Sequence, residues 1–391
     1  MSFDPFGHSP DLAALAKDGY ELEITPGGHL LVKRIPFRTA DGSVDYGTFV
    51  TKLEMNGDVT VNPVQDHAAR FIGPAPCDSS GQPLTFVTGS NTEQLETSLA
   101  VDHVLSSKPD PPYEDYYRKV TAYVGLIEAQ ARVVDVNVSA RTRGPCLVQS
   151  DDWPFEYVDT ASGRAGIGAI SARLAGHKVA IVGVGGTGSY VLDLVAKCPV
   201  DSIHLCDGDQ FSTHNAFRAP GAASLEDLRT GSFKVDYLQN IYVRMKRNVV
   251  AHPYDVVGAN ADELRDMSFV FLAMEGGDVK RELVAALERM GLTFVDCSVG
   301  VVMPEASDVL LAAVQIAAST PENREMLHGK VDFGAVDDED PYAENIQVAE
   351  LNALNATMAV LWWKKHVGLY HNPTPYSYQR INVPFNQMRS E

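Results

Sequence analysis

Residues 178–218, KVAIVGVGGTGSYVLDLVAKCPVDSIHLCDGDQFSTHNAFR, leave this chain little freedom in what it can fold into. The apolar run 179–182 leads into Gly183, Gly185, Gly186 and Gly188. A helix-like segment follows, then a second apolar run, 202–206, that ends in Asp207. Strand, glycine turn, helix and strand make one βαβ unit with a phosphate-sized gap at the helix N-terminus. Past the second strand come Asp209, Asn215, Arg218 and, sixteen residues later, Lys234. A dinucleotide dehydrogenase usually stops at the one acid. An amide, a guanidinium and an ammonium added in order suit a triphosphate.

The 391 residues predict two or three domains. A chain with 45% apolar and 21% charged residues is an ordinary globular one and can bury a large core. Its net charge of -19 speaks against a nucleic-acid grip made by a general basic field, and it repels anionic membranes. ATP must therefore be met by a local cluster of Arg, Lys and Mg²⁺. The sequence has no run of about 18 apolar residues and no basic start followed by an apolar core, which predicts a cytoplasmic protein. Cys77, Cys146, Cys198, Cys206 and Cys297 form no C-x-x-C pair. They read as reduced thiols, not as a four-cysteine zinc site.

Periodicity predicts a small α+β domain over residues 1–135. It has a short helix at 10–17, strands at 29–37, 47–55 and 58–62, a loop at 73–83, and helices at 92–107 and 113–134. Residues 136–176 read as a connector. From residue 177 to 391 strands and helices alternate, with further strands at 268–274, 292–295 and 309–316 and a helix at 278–290. This is the rhythm of an α/β domain, a mostly parallel sheet with helices on both faces. An acidic loop, 317–341, ends in DDEDP, and a long helix is expected over 343–366.

GVGGTGS, then DGDQFSTHNAFR, then GSFK closely resemble the adenylation domain shared by ubiquitin-activating enzymes and the ThiF-type proteins of thiamine and molybdopterin synthesis. Members of that family show a G-x-G-G-x-G turn, then D-x-D-x-x-x-x-x-N-x-x-R, then a lysine. The likeness covers about residues 155–370. It implies a Rossmann-like ThiF-type fold and acyl adenylation, in which a C-terminal carboxylate attacks the α-phosphorus of ATP and pyrophosphate leaves. The expected partner is a ubiquitin-like protein, in a bacterial conjugation pathway. The N-terminal domain and the end helix resemble a bacterial subgroup of the family. That domain would bind the substrate, recruit a conjugating-enzyme-like protein, or act as a reduced version of one.

The resemblance gives each residue an expected task. Gly183, Gly185, Gly186 and Gly188 shape the nucleotide turn, and Asp207 takes the ribose hydroxyls. Arg218 meets the β- or γ-phosphate and Lys234 the α-phosphate, while Asn215 holds phosphate oxygens or the loop itself. Asp209 is either a further contact or a turn aspartate. Glu275 stands where the family has an Asp for Mg²⁺, with Asp278 as a nearby substitute and Lys280 in place of an arginine. Arg164 is the candidate that reaches across a homodimer to the partner's ATP. The acidic loop lacks the cysteine that accepts the acyl group in ubiquitin-activating enzymes, and its nearest hydroxyls are Ser319 and Thr320. Cys297 and Cys77 read as structural cysteines, and Trp362 and Trp363 as core anchors. Two other functions fit parts of the pattern. The βαβ unit suits an NAD-dependent oxidoreductase, and the Glu275 departure suits a non-catalytic ThiF-like scaffold.

Overall fold

The structure, a computed structural model, describes residues 3–62, 66–148, 153–304, 308–324, 330–331 and 346–391, with only the backbone of Gly163 and Arg164. The chain divides into two units, Met1–Ala172 and Arg173–Glu391.

In the first unit, alternation along the strands sorts side chains to two faces of a seven-stranded sheet. Its strand order is Cys146–Val148, Leu22–Ile24, His29–Arg38, Val44–Lys52, Ala68–Ile72, His103–Ser106 and Val87–Gly89. Leu30, Val32, Phe49 and Phe71 face a core closed by the helices Pro10–Asp18 and Tyr116–Val134 through Leu12, Leu15, Val120, Tyr123 and Ile127. Leu31 and Val50 point to the other face, where Leu99 and Val101 cover them. Asp115 caps the long helix by accepting from the Arg118 N–H at 2.7 Å.

One expected helix is absent. Residues 92–107 form the strands Glu93–Glu96, Leu99–Val101 and His103–Ser106. Leu99 and Val101 are buried around an exposed Ala100, a period of two that marks a strand. The strand Ala68–Ile72 went unrecognised. Within 136–176, Cys146–Val148 pairs in parallel with Leu22–Ile24 and completes one edge of the sheet.

The second unit is built on an eight-stranded sheet. Five strands, Val249–His252, Ser202–Cys206, Lys178–Val182, Phe269–Leu272 and Phe294–Val302, run parallel in that order. Leu311–Ser319, Tyr378–Asn382 and Gln387–Ser390 then continue it antiparallel. Val179 and Ile181 face the helices Gly186–Val195, Lys234–Tyr242 and Ala349–His366, together with Trp362 and Trp363. Ala180 and Val182 face Leu283 and Leu287 of the helix Asp278–Arg289. The fold is thus the expected α/β one: a Rossmann-like, mostly parallel sheet covered on both faces, preceded by a small α+β unit. Among the described residues no helix is long and apolar enough to cross a membrane.

The helix Gly186–Val195 is pressed hard against the turn that precedes it. A Cβ on Gly188 would lie 1.9 Å from the carbonyl oxygen of Gly183, which is backbone and cannot step aside. A Cβ on Gly185 would meet nothing within 4 Å. Gly188→Ala is therefore expected to lower the free energy of unfolding by about 1–3 kcal/mol or more, and Gly185→Ala by clearly less. Urea denaturation of both variants checks the difference, and equal losses would refute it.

Candidate functional site

The carboxyl ends of the parallel strands open onto a cleft of about 690 Å³ in the second unit. Gly183, Gly185, Gly186, Asp207, Asp209, Arg218, Lys234, Glu275 and Lys280 all line it, so residues from both ends of the 183–280 stretch meet in one place. Gly183 turns the chain at φ +83°, and a Cβ there would sit 2.6 Å from the Ala273 carbonyl oxygen. The space that Gly186 leaves is filled by Asn352 of the last helix, whose Nδ2 lies 2.1 Å from where a Cβ would be. Gly185, the N-cap of the helix Gly186–Val195, faces open space. The approach to the helix N-terminus is thus clear at Gly185 and closed at Gly186.

Asp207 ends the second strand and is buried. It accepts from the Val184 N–H at 2.9 Å and the Asp209 N–H at 2.9 Å. This pins the carboxylate beneath the glycine turn. Lys234 opens the helix Lys234–Tyr242 and is also buried. Its Nζ lies 3.2 Å from Asp207 Oδ1 and 2.5 Å from Asp209 Oδ2, and the Asp209 side chain is 74% exposed. Asn215 does local work: its Oδ1 accepts from the Ser212 N–H at 2.9 Å and closes a capping box on the short helix Thr213–Ala216.

Among the described residues, the buried nitrogens without an acceptor include three in and beside the cleft: Arg218 Nε, Asn215 Nδ2 and Asn352 Nδ2. Two of them belong to residues that line the cleft. Buried donors without partners are costly, so a cleft that collects them is suited to a ligand rich in acceptor oxygens. The polyphosphate of ATP fits that description, and Val256, Val257 and Met274 give the same cleft an apolar wall for a base. The residues present therefore fit the nucleotide.

The metal carboxylates are less assembled. Glu275 lines the cleft and is exposed, whereas Asp278 lies outside the lining and faces Arg281 at 3.8 Å. Among the described residues no three His, Cys, Asp or Glu side chains gather as a metal cage. Mg²⁺ is commonly held by substrate phosphates and one or two carboxylates, a demand Glu275 can meet.

Three features escaped sequence reasoning. Lys280 and Asp296 form an ion pair of 2.6 Å with both side chains almost fully buried, at the floor of the cleft. Asp255 accepts from the Gly208 N–H at 2.9 Å and fixes the loop after the second strand. Asn352 accepts from Thr187 Oγ1 at 3.2 Å, tying the last helix to the glycine turn. An acid closing an apolar strand was the available signal for Asp296; nothing local marked Asn352.

The candidate acyl acceptors are not poised. Cys297 lines the cleft, but burial, with Asp296 beside it, pushes its thiol far up. Burial pushes Cys206 up to about 12, and it raises Cys77, which is buried in the first unit. Such thiols hold little thiolate at neutral pH. Ser319 is buried, donates to Glu288 Oε1 at 3.3 Å and lies outside the cleft lining, as does Thr320. Most of the 317–341 loop lies outside the described residues. Arg164 falls within the helix Thr160–Ala165, and its side chain also lies outside them.

Residues 164–362 match the ThiF family, and residues 10–160 match a domain of unknown function, DUF6791. No curated protein matches the chain. Among solved structures, PaaA is similar at 17% identity and a TM-score of 0.44, over 57% of this chain and 65% of that one. Escherichia coli MccB with ATP is similar at 16% identity and a TM-score of 0.44, over 57% and 65%. TcdA (CsdL) is similar at 18% identity and a TM-score of 0.39, over 53% and 92%. The chain thus spans slightly under two thirds of PaaA and of MccB.

Removing one partner of a buried ion pair strands the other charge. Lys280→Met, which takes the cation from buried Asp296, is expected to destabilise the protein by about 3–5 kcal/mol. Chemical denaturation measures this, and a loss under about 1 kcal/mol would mean that Asp296 finds water or another donor.

Proposed function

The chain belongs to the ThiF family over residues 164–362, and on that premise we propose that it is an ATP-dependent adenylating enzyme acting on the C-terminal carboxylate of a ubiquitin-like protein. The observation that carries the reading is the cleft's collection of donors and cations around an open helix N-terminus: Gly185, Arg218, Lys234 and Asn352. In the reaction a carboxylate oxygen forms a bond to the α-phosphorus and the bond to the bridging oxygen breaks. The acyl-adenylate forms and pyrophosphate departs. The protein need only align these atoms and spread the growing negative charge.

The proposed roles follow from position. Asp207, held rigid by two backbone N–H groups, offers its remaining lone pairs to the ribose hydroxyls. Lys234 is the compact charge for the α-phosphate and Arg218 the planar fork for the outer phosphates. Asn215 shapes the loop that carries Arg218, and Gly183 and Gly188 shape the turn. Asp209 holds Lys234 in place. Mg²⁺ neutralises phosphate charge when bound with the nucleotide, with Glu275 as its protein carboxylate. NAD carries less charge than ATP and has no need of so many cations.

The ubiquitin-like substrate, a conjugating-enzyme-like acceptor, the homodimer and the cytoplasmic setting belong to this proposal and rest on the family resemblance of the motifs. Arg164 completes the partner's site in it. Mixing Arg164→Ala with Lys234→Ala chains is expected to restore one working site per mixed dimer, and absence of recovery after subunit exchange refutes the trans role.

Arg218→Ala and Lys234→Ala are each expected to lower ATP–pyrophosphate exchange at least about tenfold, because each removes a contact that strengthens as charge develops. Isothermal titration with ATP–Mg²⁺ and with NAD separates the readings. Binding of NAD in preference to ATP would overturn the adenylation proposal, and full exchange activity in either variant would overturn its assigned role. ATP binding with no pyrophosphate exchange, given the cognate carboxylate, would favour the scaffold.

A further inference from the structure

A second hollow of the second unit begins where the nucleotide cleft ends. Alternate residues of the strand Phe294–Val302 share a face of the sheet. On one face Phe294 packs with Leu283 and Leu287 of the helix Asp278–Arg289. Further along, the same face carries Ser298, Gly300 and Val302 and opens into a groove of about 270 Å³. Ser298 lines both this groove and the nucleotide cleft. The groove floor is built of small residues: Gly300 pairs with Ala313, and a Cβ on Gly300 would meet nothing within 4 Å. Val302, Leu311 and Phe385 are exposed and give it apolar walls.

One charge in the groove is unanswered. Strand pairing sets Ser298 opposite Gln315, Gln315 opposite Arg380, and Arg380 opposite Arg389, so these side chains form one row across the sheet. Arg389 is engaged by Glu391 at 2.5 Å. Arg380 lines the groove and is exposed. Its Nε donates to Asn382 Oδ1 at 3.1 Å and its Nη1 to Gln315 Oε1 at 3.1 Å. Both acceptors are neutral amides, and among the described residues no carboxylate reaches Arg380. The two bonds aim the guanidinium without neutralising it, and like charges opposite each other on one face destabilise a sheet. In a chain with 51 acidic and 32 basic residues, an arginine held in this way suits a carboxylate from outside.

We propose that Arg380 is a specificity-determining residue: it pairs with an Asp or Glu side chain in the tail of the protein substrate, which lies extended along this groove. The inference rests on the adenylation reading, which brings the tail's C-terminal carboxylate into the cleft past Ser298. Neighbouring strands lie about 4.8 Å apart, so Arg380 stands about 10 Å from Ser298 across the sheet. An extended chain covers about 3.3 Å per residue, which puts the acidic residue at least about three positions before the C-terminus. The partner is thus a protein whose tail carries an acid near its end.

Selection of random peptides with free C-terminal carboxylates on the full chain tests this. Asp or Glu is expected to be enriched about tenfold over Lys and Arg at one position, at least three residues from the end. The net charge of -19 repels acidic peptides in general, so such a preference reports a local cation. Arg380→Glu is expected to reverse the preference at that position to Lys or Arg. Gly300→Val fills the groove floor and is expected to weaken the selected peptides at least about tenfold. Circular dichroism confirms that both variants are folded. Absence of an acidic preference, a preference that Arg380→Glu leaves unchanged, or full peptide binding by Gly300→Val would each overturn the proposal. So would sedimentation showing that Gly300→Val loses self-association, which would make the groove an interface between copies of this chain. The adenylation reading fails by a different result: selected peptides that bind with the charge reversal but support no ATP–pyrophosphate exchange would refute adenylation and leave Arg380 its role in peptide recognition.

Discussion

The cleft depends on one close approach. The helix Gly186–Val195 can begin where it does only because position 188 has no side chain: the carbonyl of Gly183 occupies the place a Cβ would take. That contact draws the helix N-terminus down onto the carboxyl end of the strand Lys178–Val182. The turn so formed sends the Val184 N–H into the Asp207 carboxylate, and Gly183 donates its N–H to the Cys206 carbonyl at 2.8 Å. The neighbouring strand is thereby locked to the turn at its last residue. The last helix fits on the other side, where Gly186 admits Asn352. Four glycines thus do three separate things. Gly183 and Gly188 make the turn, Gly186 receives another helix, and Gly185 leaves the helix N-terminus open to a ligand.

The same reasoning shows what the sequence could and could not reveal. The βαβ unit was legible because its signal is local: an apolar run, glycines at fixed offsets and an acid at the next strand end all fall within thirty residues. The order of Asp207, Asn215, Arg218 and Lys234 was legible for the same reason, and the structure brings three of the four onto one cleft. Asn215 stands just behind, capping the helix that leads to Arg218. Asn352 and Asp296 were not legible. Each is defined by a partner more than ten residues away, and a lone polar residue within a helix or strand carries no mark of what it will face. The 92–107 segment failed for a different reason. Its two-residue alternation is too short to stand out in the sequence, and the decision lay with Leu31 and Val50, against which Leu99 and Val101 pack.

Glu96 and His29, a buried carboxylate–imidazole pair of the first unit, show the same limit. Thr25, Gly27 and His29 are close in sequence and read as an unremarkable strand entry. Only when Glu96 arrives from about seventy residues away does the run T-x-G-x-H become a carboxylate cradle with a histidine on its rim. Its meaning is wholly tertiary.

The two lysines of the nucleotide cleft look alike in sequence and differ in what their partners allow. Both lie beside aspartates in a chain whose net charge is -19, so each needs a reason to be available to an anion. Lys280 and Asp296 are both buried, and neither can trade its partner for water without a large desolvation cost. That pair holds the first part of the strand Phe294–Val302 to the helix Asp278–Arg289 and sets the cleft floor. Lys234 is divided between buried Asp207 and largely exposed Asp209. The exposed arm is worth little, since water solvates Asp209 as well as the lysine does. An arriving phosphate can displace it, while Asp207 keeps Lys234 aimed at the turn. Burial of the partner, not the identity of the lysine, separates a charge that builds the cleft from one that the cleft can offer to its ligand.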